Sequence, residues 1–388
     1  RMLKTIKPAS RWLNQSVYIN PLKITTQLAR YSQSNSIHSI QSIQPTHIRS
    51  YTKMSIPEKQ SAVLIRETGG PEVLRYETDF PTPKIANPNE ILIKNKYSGV
   101  NFIESYFRKG IYPSEKPYVL GREALGVVVE KGAGVKDYNI GDHILYMSPG
   151  TFAQYTKVTA GVSKLIKLPQ TSTQEELKTY AAALLQGLTV LTFVEEAYAV
   201  KKGDYILVWA ASGGVGLIFD QILHKLGAHV IAVASTEEKL ALAKENGAEY
   251  GILYDDPELL KKIEEITKGE GVDAVFDSIG KDTFETSLKA VKRKGSLISF
   301  GNATGPVDPL VLNRLSPKNV KIARPQVMAY IHTEEEFEYY AKKLIDYVKN
   351  GDLKIKIYKT YELKDYVQAA KDIESRKTTG KLLLEIPN

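Results

Sequence analysis

The chain has 388 residues, of which 43% are hydrophobic, and its formal net charge at pH 7 is +8. This length and apolar content suffice for a buried core and, at about 150 residues per domain, suggest two domains plus an extension. No apolar run reaches the roughly 18 residues of a membrane span, because the run from 180 to 194 is interrupted by Gln186, Thr189 and Thr192. We therefore expect a soluble protein without a membrane partner.

The positive charge is concentrated at the start of the chain. Eight of the 52 Lys and Arg residues and none of the 44 Asp and Glu residues lie in the first 53 positions, which leaves 44 of each beyond them. An acid-free, Ser-rich segment with isolated apolar residues is typical of a mitochondrial transit peptide. We predict such a leader over residues 1–54 and a location in the mitochondrial matrix, with a cytosolic form starting at Met54. The alternative is a disordered tail with no targeting role.

Beyond the leader, the pattern of apolar residues changes once, at Gly203. Short apolar runs separated by Gly and Pro come first and predict strands of a β-rich unit. These runs are Ser61–Arg66, Glu90–Tyr97, Glu123–Lys131 and His143–Tyr146. From Gly203 onward, apolar runs alternate with amphipathic stretches, which predicts a parallel sheet covered by helices on both faces. We place this α/β domain at residues 181–324 and expect the tail from Thr333 to pack back on the β-rich unit.

A glycine-rich turn follows the first strand of the α/β domain. The strand Tyr205–Ala210 leads into Ala-Ser-Gly-Gly-Val-Gly at Ala211–Gly216 and then into an amphipathic helix. A dinucleotide site requires this order, with a tight turn, a residue without Cβ near the pyrophosphate and a small residue where helix meets strand. Ser212, Gly213, Gly214, Val215 and Gly216 are therefore predicted to bind a dinucleotide, although Ala211 replaces the first glycine of the strict pattern. The alternative is an ordinary Gly-rich turn.

The next strand indicates which dinucleotide is bound. After His229–Ala234, where an acid would suit the ribose 2′-hydroxyl of NAD, the chain has Ser235, Thr236 and Lys239. Hydroxyls and a cation suit a 2′-phosphate, so we predict NADPH. The alternative is that Lys239 is a solvated helix residue.

Several stretches, taken together, resemble the quinone oxidoreductase or zeta-crystallin branch of the medium-chain dehydrogenase/reductase superfamily over about residues 61–387. They are Val100–Glu104, Tyr106–Arg108, Leu120–Val128, Leu185–Thr189, Ala211–Gly216, Asp277–Phe284, Ser299–Pro306 and Glu374–Arg376. The resemblance implies a GroES-like β-rich catalytic domain from residues 55–180 and 325–388. It implies a Rossmann doubly wound parallel-sheet domain from residues 181–324, and a homodimer formed through the Rossmann domains.

The resemblance also implies where NADPH binds. The implied contacts are Asn101, Gln186, Thr189, Gly214, Val215, Ser235, Lys239, Tyr254, Ser278, Phe300, Asn302 and Arg376. The turn Phe300–Gly301 and Asn302 look like the segment beside the nicotinamide. Tyr254 and Arg376 look like holders of the 2′-phosphate end, the alternative being that both are ordinary surface residues.

Zinc-dependent members of the superfamily hold a catalytic zinc with Cys and His, and the zinc polarises an oxygen of the substrate. This chain has no Cys. By the resemblance, Arg122 occupies the place of a ligand His, and Asn101 that of a Cys. We therefore predict an enzyme without metal. Glu104 stands where many quinone reductases have Asp.

A metal-free site favours a substrate that accepts hydride readily, such as a quinone or a conjugated enone. We hypothesise that Asn101 and Tyr106 line the acceptor pocket and that Tyr106 donates a hydrogen bond or proton to the developing oxyanion. The alternative for Tyr106 is a buried aromatic wall. Rival functions are a mitochondrial NADPH-dependent enoyl-thioester reductase, an RNA-binding protein and a non-catalytic NADPH-binding protein. The neutral chain beyond the leader argues against RNA.

Overall fold

The computed structural model describes residues 55–388, and the predicted leader over residues 1–54 lies outside the described residues. The strands are β1 (Lys59–Ile65), β2 (Leu74–Pro81), β3 (Glu90–Val100), β4 (Tyr118–Val119), β5 (Glu123–Lys131), β6 (His143–Met147), β7 (Tyr155–Thr159), β8 (Lys164–Leu168), β9 (Tyr205–Trp209), β10 (His229–Ala234), β11 (Tyr250–Leu253), β12 (Val272–Asp277), β13 (Val291–Ser299), β14 (Lys321–Ala323), β15 (Ile357–Glu362) and β16 (Lys381–Glu385). The α-helices are α1 (Ile103–Arg108), α2 (Gln174–Thr192), α3 (Gly214–Lys225), α4 (Glu237–Glu245), α5 (Leu259–Ile266), α6 (Phe284–Ala290), α7 (Val327–Tyr330), α8 (Glu334–Lys349) and α9 (Tyr366–Glu374).

Five strands between residues 90 and 168 and the two strands β15 and β16 form one seven-stranded sheet. Its order is β15-β16-β3-β5-β6-β8, with β7 also pairing with β3. The strand β16 runs parallel to β15 and antiparallel to β3, so it lies inside the sheet rather than at its edge. The strands β2, β1 and β4 form a separate three-stranded sheet.

The α/β part contains a six-stranded sheet in the order β11-β10-β9-β12-β13-β14, and every pair is parallel. Its central strand β9 is nearly all apolar, with Ile206, Leu207 and Val208 fully buried. Such a continuous apolar strand is expected where helices cover both faces of a sheet. The sheet therefore has the doubly wound arrangement that the alternating pattern predicts.

Helix α2 crosses from one part of the molecule to the other. It begins with a capping box, in which the side chains of Thr173 and Glu176 each bond to the other's backbone N–H, and a π-helical turn, Phe193–Ala197, follows it. The predicted domain boundary at residues 180 and 181 falls within this helix. Gly187 packs against Leu344 of α8, so the helix of the tail lies on α2 while the tail's strands join the seven-stranded sheet.

The segment Gln174–Ala197 is long and apolar enough to cross a membrane by length and composition, but 78% of its most apolar window is buried inside the protein. Core helices of soluble proteins meet the same two criteria. This helix is therefore weak evidence for a membrane span.

The strand β13 is longer than the sequence predicts. The apolar run from 296 to 300 predicts its start at Ser296, whereas the strand begins at Val291. Its first half contains Lys292, Arg293 and Lys294, the last two exposed. A strand that contains such charges cannot be recognised from the periodicity of apolar residues alone.

Candidate active site

An open cleft of about 820 Å³ follows the carboxyl ends of the six-stranded sheet. Residues directly after each of its six strands line the cleft: Ala210, Ser235, Tyr254, Ser278, Phe300 and Arg324. The other wall comes from α1, α2 and the loops of the seven-stranded sheet. Ligands of doubly wound sheets bind at this edge of the sheet. All the predicted cofactor residues except Asn302 line the cleft, and so does Tyr106.

The glycine turn forms the floor of the cleft. Ala210, directly after β9, has a φ of 51°, and the N–H of Gly213 donates to its carbonyl oxygen at 2.9 Å. A Cβ on Gly216 would overlap the backbone of Ala210 and Ala211, so only glycine allows helix and strand to approach this closely. The first N–H groups of α3 have no partner within the helix and favour an anion. This turn fits the pyrophosphate of a dinucleotide.

Three predicted residues meet at one end of the cleft. Lys239 donates from Nζ to the hydroxyl oxygen of Ser235 at 3.0 Å and also to the carbonyl oxygen of Arg376. Arg376 has a φ of 63°, in the left-handed region. Tyr254 lines the cleft beside them, with its ring edge-on to Trp209. Burial lowers the pKa of Lys239 from its ordinary value. The side chain of Lys239 thus makes defined contacts, and this group of hydroxyls and cations suits a phosphate.

The opposite end of the cleft is built on the segment after β13. The hydroxyl oxygen of Tyr106 accepts a hydrogen bond from the backbone N–H of Asn302 at 2.7 Å. Burial raises the pKa of Tyr106 to about 12, so the hydroxyl keeps its proton near neutral pH. Because the oxygen of Tyr106 accepts from Asn302, its O–H is free to donate elsewhere. Asn302 does not line the cleft, and the structure shows it acting here through its main chain.

Arg324 was not singled out by the sequence. Its guanidinium donates to the carbonyl oxygens of Ser299 at 3.1 Å and Gly301 at 2.9 Å and so supports the segment after β13. Gly301 packs on the backbone of Ser278 so closely that a Cβ would overlap it. The only signal in the sequence is a lone Arg directly after a short strand.

Asn101 belongs to a buried network that the sequence did not reveal. Lys381 donates from Nζ to Oδ1 of Asn101 at 2.7 Å and to Oε1 of Glu123 at 2.6 Å. Asn101 in turn donates from Nδ2 to Oε1 of Glu123 at 2.8 Å. The other carboxylate oxygen of Glu123, Oε2, accepts from the backbone N–H of Leu185 at 2.6 Å. Burial lowers the pKa of Lys381, and the negative charge of Glu123 counteracts that fall. The network fixes the orientation of the Asn101 amide at the cleft wall.

The wall on the Tyr106 side is mainly apolar and aromatic. Its members include Phe102, Ile103, Tyr112, Met147 and Met328. Tyr112 packs edge-on against Tyr106 with ring centres 5.4 Å apart. A flat, conjugated molecule would bury its faces well against such a wall.

Metal-binding side chains do not cluster in the part of the chain that the structure describes. Within residues 55–388, no group of three or more His, Cys, Asp or Glu is placed to hold a metal ion. The side chain of Arg122, at the place implied for a ligand His, donates to the hydroxyl of Tyr118 at 2.6 Å. A guanidinium cannot act as a zinc ligand near neutral pH, since it has no free lone pair.

Comparisons with known proteins agree with this architecture. Residues 87–170 match the family model described as "Alcohol dehydrogenase GroES-like domain", and residues 214–346 match the one described as "Zinc-binding dehydrogenase". The chain therefore combines the two domains of the medium-chain dehydrogenase/reductase superfamily. The predicted fold class, a GroES-like domain with a Rossmann domain, is confirmed.

Individual relatives show which family of this superfamily the chain is similar to. The probable quinone oxidoreductase of Schizosaccharomyces pombe is 44% identical over 83% of this chain and 96% of its own length. The 2-haloacrylate reductase of a Burkholderia species is 35% identical over 83% of this chain and 98% of its own. The crystal structure of Escherichia coli quinone oxidoreductase complexed with NADPH is 36% identical, covers 84% of this chain and 99% of that chain, and has a TM-score of 0.79. The chain belongs to the quinone oxidoreductase family of this superfamily, as the resemblance predicts.

Proposed function

We propose that this protein is an NADPH-dependent quinone oxidoreductase that transfers a hydride to quinones or small conjugated enones without a metal ion. The observation that carries the proposal is the cleft itself. One end combines the glycine turn with Ser235, Lys239 and Arg376, and the other combines an aromatic wall with the hydroxyl of Tyr106. The quinone oxidoreductases among the relatives, one of them solved with NADPH, support the same assignment.

The residues of the chain divide the work between binding the cofactor and stabilising the acceptor by a hydrogen bond. NADPH, when bound, supplies a hydride from its nicotinamide ring. The helix start at Gly214 and the cations at Lys239 and Arg376 hold its phosphates. Tyr106, oriented by Asn302, donates a hydrogen bond to the acceptor oxygen on which negative charge develops. Asn101, held by Lys381 and Glu123, orients the reacting groups.

The test of the cofactor is a comparison of NADPH and NADH. We expect Lys239→Ala to raise the KM for NADPH about tenfold or more, since a charge-assisted contact contributes about 1.5–3 kcal/mol, and to change the KM for NADH little. The matched control is Lys244→Ala, an exposed lysine on the same helix. Equal use of NADPH and NADH by the wild type would contradict the assignment of the 2′-phosphate.

The test of the reaction is a panel of quinones, small enones and enoyl thioesters. Quinones and enones should be reduced with NADPH. Preference for enoyl thioesters would favour the rival reductase, and turnover of none would favour a non-catalytic NADPH-binding protein. Salt-dependent RNA binding that competes with NADPH would support the RNA-binding alternative. Treatment with a chelator should leave quinone reduction unchanged, and loss of activity would contradict a metal-free mechanism.

We further propose a homodimer formed through the six-stranded sheet. Within residues 55–388, β14 pairs on one side only, with β13, so its other edge is available to another chain. Val311 and Leu312, shortly before β14, are 66% and 73% exposed. Light scattering should give a molar mass twice that of the chain. The substitution Leu312→Asp should lower this mass toward that of the monomer. A wild type that is monomeric at micromolar concentration would contradict the proposal.

We also propose that residues 1–54 direct the protein to the mitochondrial matrix. The support is their composition, with eight basic and no acidic residues in the first 53. A fluorescent protein fused to these residues should enter mitochondria, whereas a fusion starting at Met54 should stay in the cytosol. A cytosolic location of both would contradict the proposal.

A further inference from the structure

Arg122 places a cation in the aromatic part of the cleft. It lies between β4 and β5 and lines the cleft together with Phe107, Tyr112 and Met147. Its guanidinium carbon lies 4.1 Å from the centre of the Phe107 ring, and one nitrogen donates to the hydroxyl of Tyr118 at 2.6 Å. Stacking and this hydrogen bond hold the planar group in one orientation, which lowers the entropy lost when it binds a ligand.

Most of the hydrogen-bonding capacity of Arg122 is unused. A guanidinium has five N–H donors, and the only hydrogen bond of this one among residues 55–388 goes to Tyr118. Its Nε is buried and has no partner among these residues. A buried donor without a partner is costly and is expected to be satisfied by a ligand or by water.

No carboxylate neutralises this cation directly. Among residues 55–388, Arg122 is in no ion pair. Glu123 is engaged by Lys381, Asn101 and Leu185. Glu104 accepts from the N–H of Gly121 at 3.0 Å, and burial raises the pKa of its carboxyl to about 7. The positive charge of Arg122 opposes this rise in the pKa of Glu104, but among residues 55–388 neither a hydrogen bond nor an ion pair joins the two side chains.

The other basic residues of the cleft differ from Arg122 in position or in contacts. Lys239 and Arg376 lie at the end assigned to the 2′-phosphate. On the acceptor side, Arg324 is anchored through its Nη1 to the backbone carbonyl oxygens of Ser299 and Gly301, whereas Arg122 is stacked on the ring of Phe107. The neighbours of Arg122 are aromatic and apolar, so the site combines a flat hydrophobic surface with a fixed positive charge.

We propose that Arg122 is a specificity-determining residue that binds an anionic oxygen group, a carboxylate or sulfonate, carried by the electron acceptor. This inference rests on the proposed reductase function and names its preferred substrate class as anionic conjugated acceptors. NADPH is oxidised to NADP⁺ as its hydride, with two electrons, passes to the acceptor. One proton from the medium completes the reduction, and the anionic group bound to Arg122 is unchanged. The guanidinium fixes the acceptor while the aromatic wall buries its conjugated ring.

The test compares two acceptors that differ by one charged group, 1,4-naphthoquinone and 1,4-naphthoquinone-2-sulfonate. In Arg122→Met we expect the kcat/KM of the sulfonated acceptor, relative to the neutral one, to fall about ten- to a hundredfold from the wild-type ratio. Arg122→Lys should retain part of the preference. Comparing ratios between variants cancels the difference in redox potential between the two quinones.

The matched control is Lys116→Met. Lys116 also lies near the ring of Tyr118, at 5.8 Å, but it does not line the cleft. Removing its charge should leave the ratio unchanged. An unchanged ratio in Arg122→Met, or an equal fall in Lys116→Met, would overturn the inference.

A binding measurement separates this inference from the proposed function. Calorimetry of NADPH-saturated wild type should show that naphthalene-2-sulfonate binds more tightly than 2-naphthol. Raising the salt concentration should weaken the binding of the sulfonate and leave the binding of 2-naphthol unchanged. This arm requires no turnover. Failure to reduce either quinone would contradict the proposed function, whereas sulfonate binding that is lost in Arg122→Met would still support Arg122 as an anion site. Reduction of both quinones with salt-independent binding would overturn the inference alone.

Discussion

The hydroxyl of Tyr106, on α1, lies 2.7 Å from the backbone nitrogen of Asn302, 196 residues further along the chain. This hydrogen bond joins the two walls of the cleft at the end assigned to the acceptor. It also fixes the direction of the phenolic proton, because the oxygen accepts from Asn302. The side chain is therefore oriented by the segment that follows β13.

Replacement of Tyr106 by Phe tests its role as a donor. We expect kcat for quinone reduction to fall about ten- to a hundredfold, within the range for a lost transition-state donor. The Kd for NADPH, measured by fluorescence, should change little. Since the pKa of Tyr106 is about 12, the phenol should not titrate in the wild-type rate profile between pH 6 and 9. An unchanged kcat in the variant would favour the alternative of a buried aromatic wall.

The buried pair of Lys381 and Glu123 should be essential for stability. Lys381→Met leaves an uncompensated buried carboxylate, and we expect the free energy of unfolding to fall by about 3–5 kcal/mol. Denaturation by urea would measure this change. The control is Lys364→Met, which breaks an exposed pair with Glu362 and should cost about 0–1 kcal/mol. Equal losses in the two variants would show that the buried network contributes no more than a surface pair.

The carboxyl of Asp220, on α3, should make stability depend on pH. It is fully buried, neither oxygen has a hydrogen-bond partner among residues 55–388, and burial raises its pKa well above the ordinary 3.8. The folded state thus binds the proton more tightly than the unfolded chain. Its contribution to the free energy of unfolding is complete below the ordinary pKa and is lost as pH rises through the folded pKa.

The test is Asp220→Asn, which cannot ionise. As pH rises between the two pKa values, the variant should gain stability relative to the wild type by up to about 1.4 kcal/mol per pH unit. Urea denaturation from pH 4 to pH 8 would show this trend. Asp352→Asn, at an exposed ion pair with Lys225, serves as the control. A difference between variant and wild type that does not vary with pH would contradict the prediction.

The close approach at Gly216 should tolerate no side chain. Gly216→Ala forces a Cβ against the backbone oxygens of Ala210 and Ala211, and we expect a loss of about 1–3 kcal/mol in the free energy of unfolding. Gly213→Ala is the matched comparison, because its φ is −73° and a Cβ there would lie 3.2 Å from the nearest atom, the oxygen of Ala210. Its loss of stability should be smaller. Equal losses would contradict the explanation from close packing.

Local signals explain which parts of the fold and site the sequence could predict. The glycine turn is contiguous, so its order of strand, turn and helix is visible in the chain. The cluster of Ser235 and Lys239 is likewise local, since the two residues are four positions apart and flank the start of α4. The domain division and the roles of the site residues stay predictions, and the boundary placed at residue 181 takes no account of the continuous helix α2.

Contacts between distant residues explain what the sequence could not predict. Lys381 and Glu123 are 258 positions apart, and each looks like a charged residue at the end of an apolar strand. Asn302 binds Tyr106 through its backbone, which leaves no trace in the identity of its side chain. The strand β4 has only two residues, too few for any periodicity.

The position of β16 has a consequence for the order in which the protein can assemble. The strand β16 lies between β15 and β3, and just before it Gly380 donates from its N–H to the carbonyl oxygen of Ser212 in the glycine turn. A ribosome synthesises β16 after every other strand of the two larger sheets. The nascent chain therefore can complete neither its seven-stranded sheet nor its cofactor cradle until β16 has been made. Deletion of residues 380–385 should disable both parts of the molecule at once.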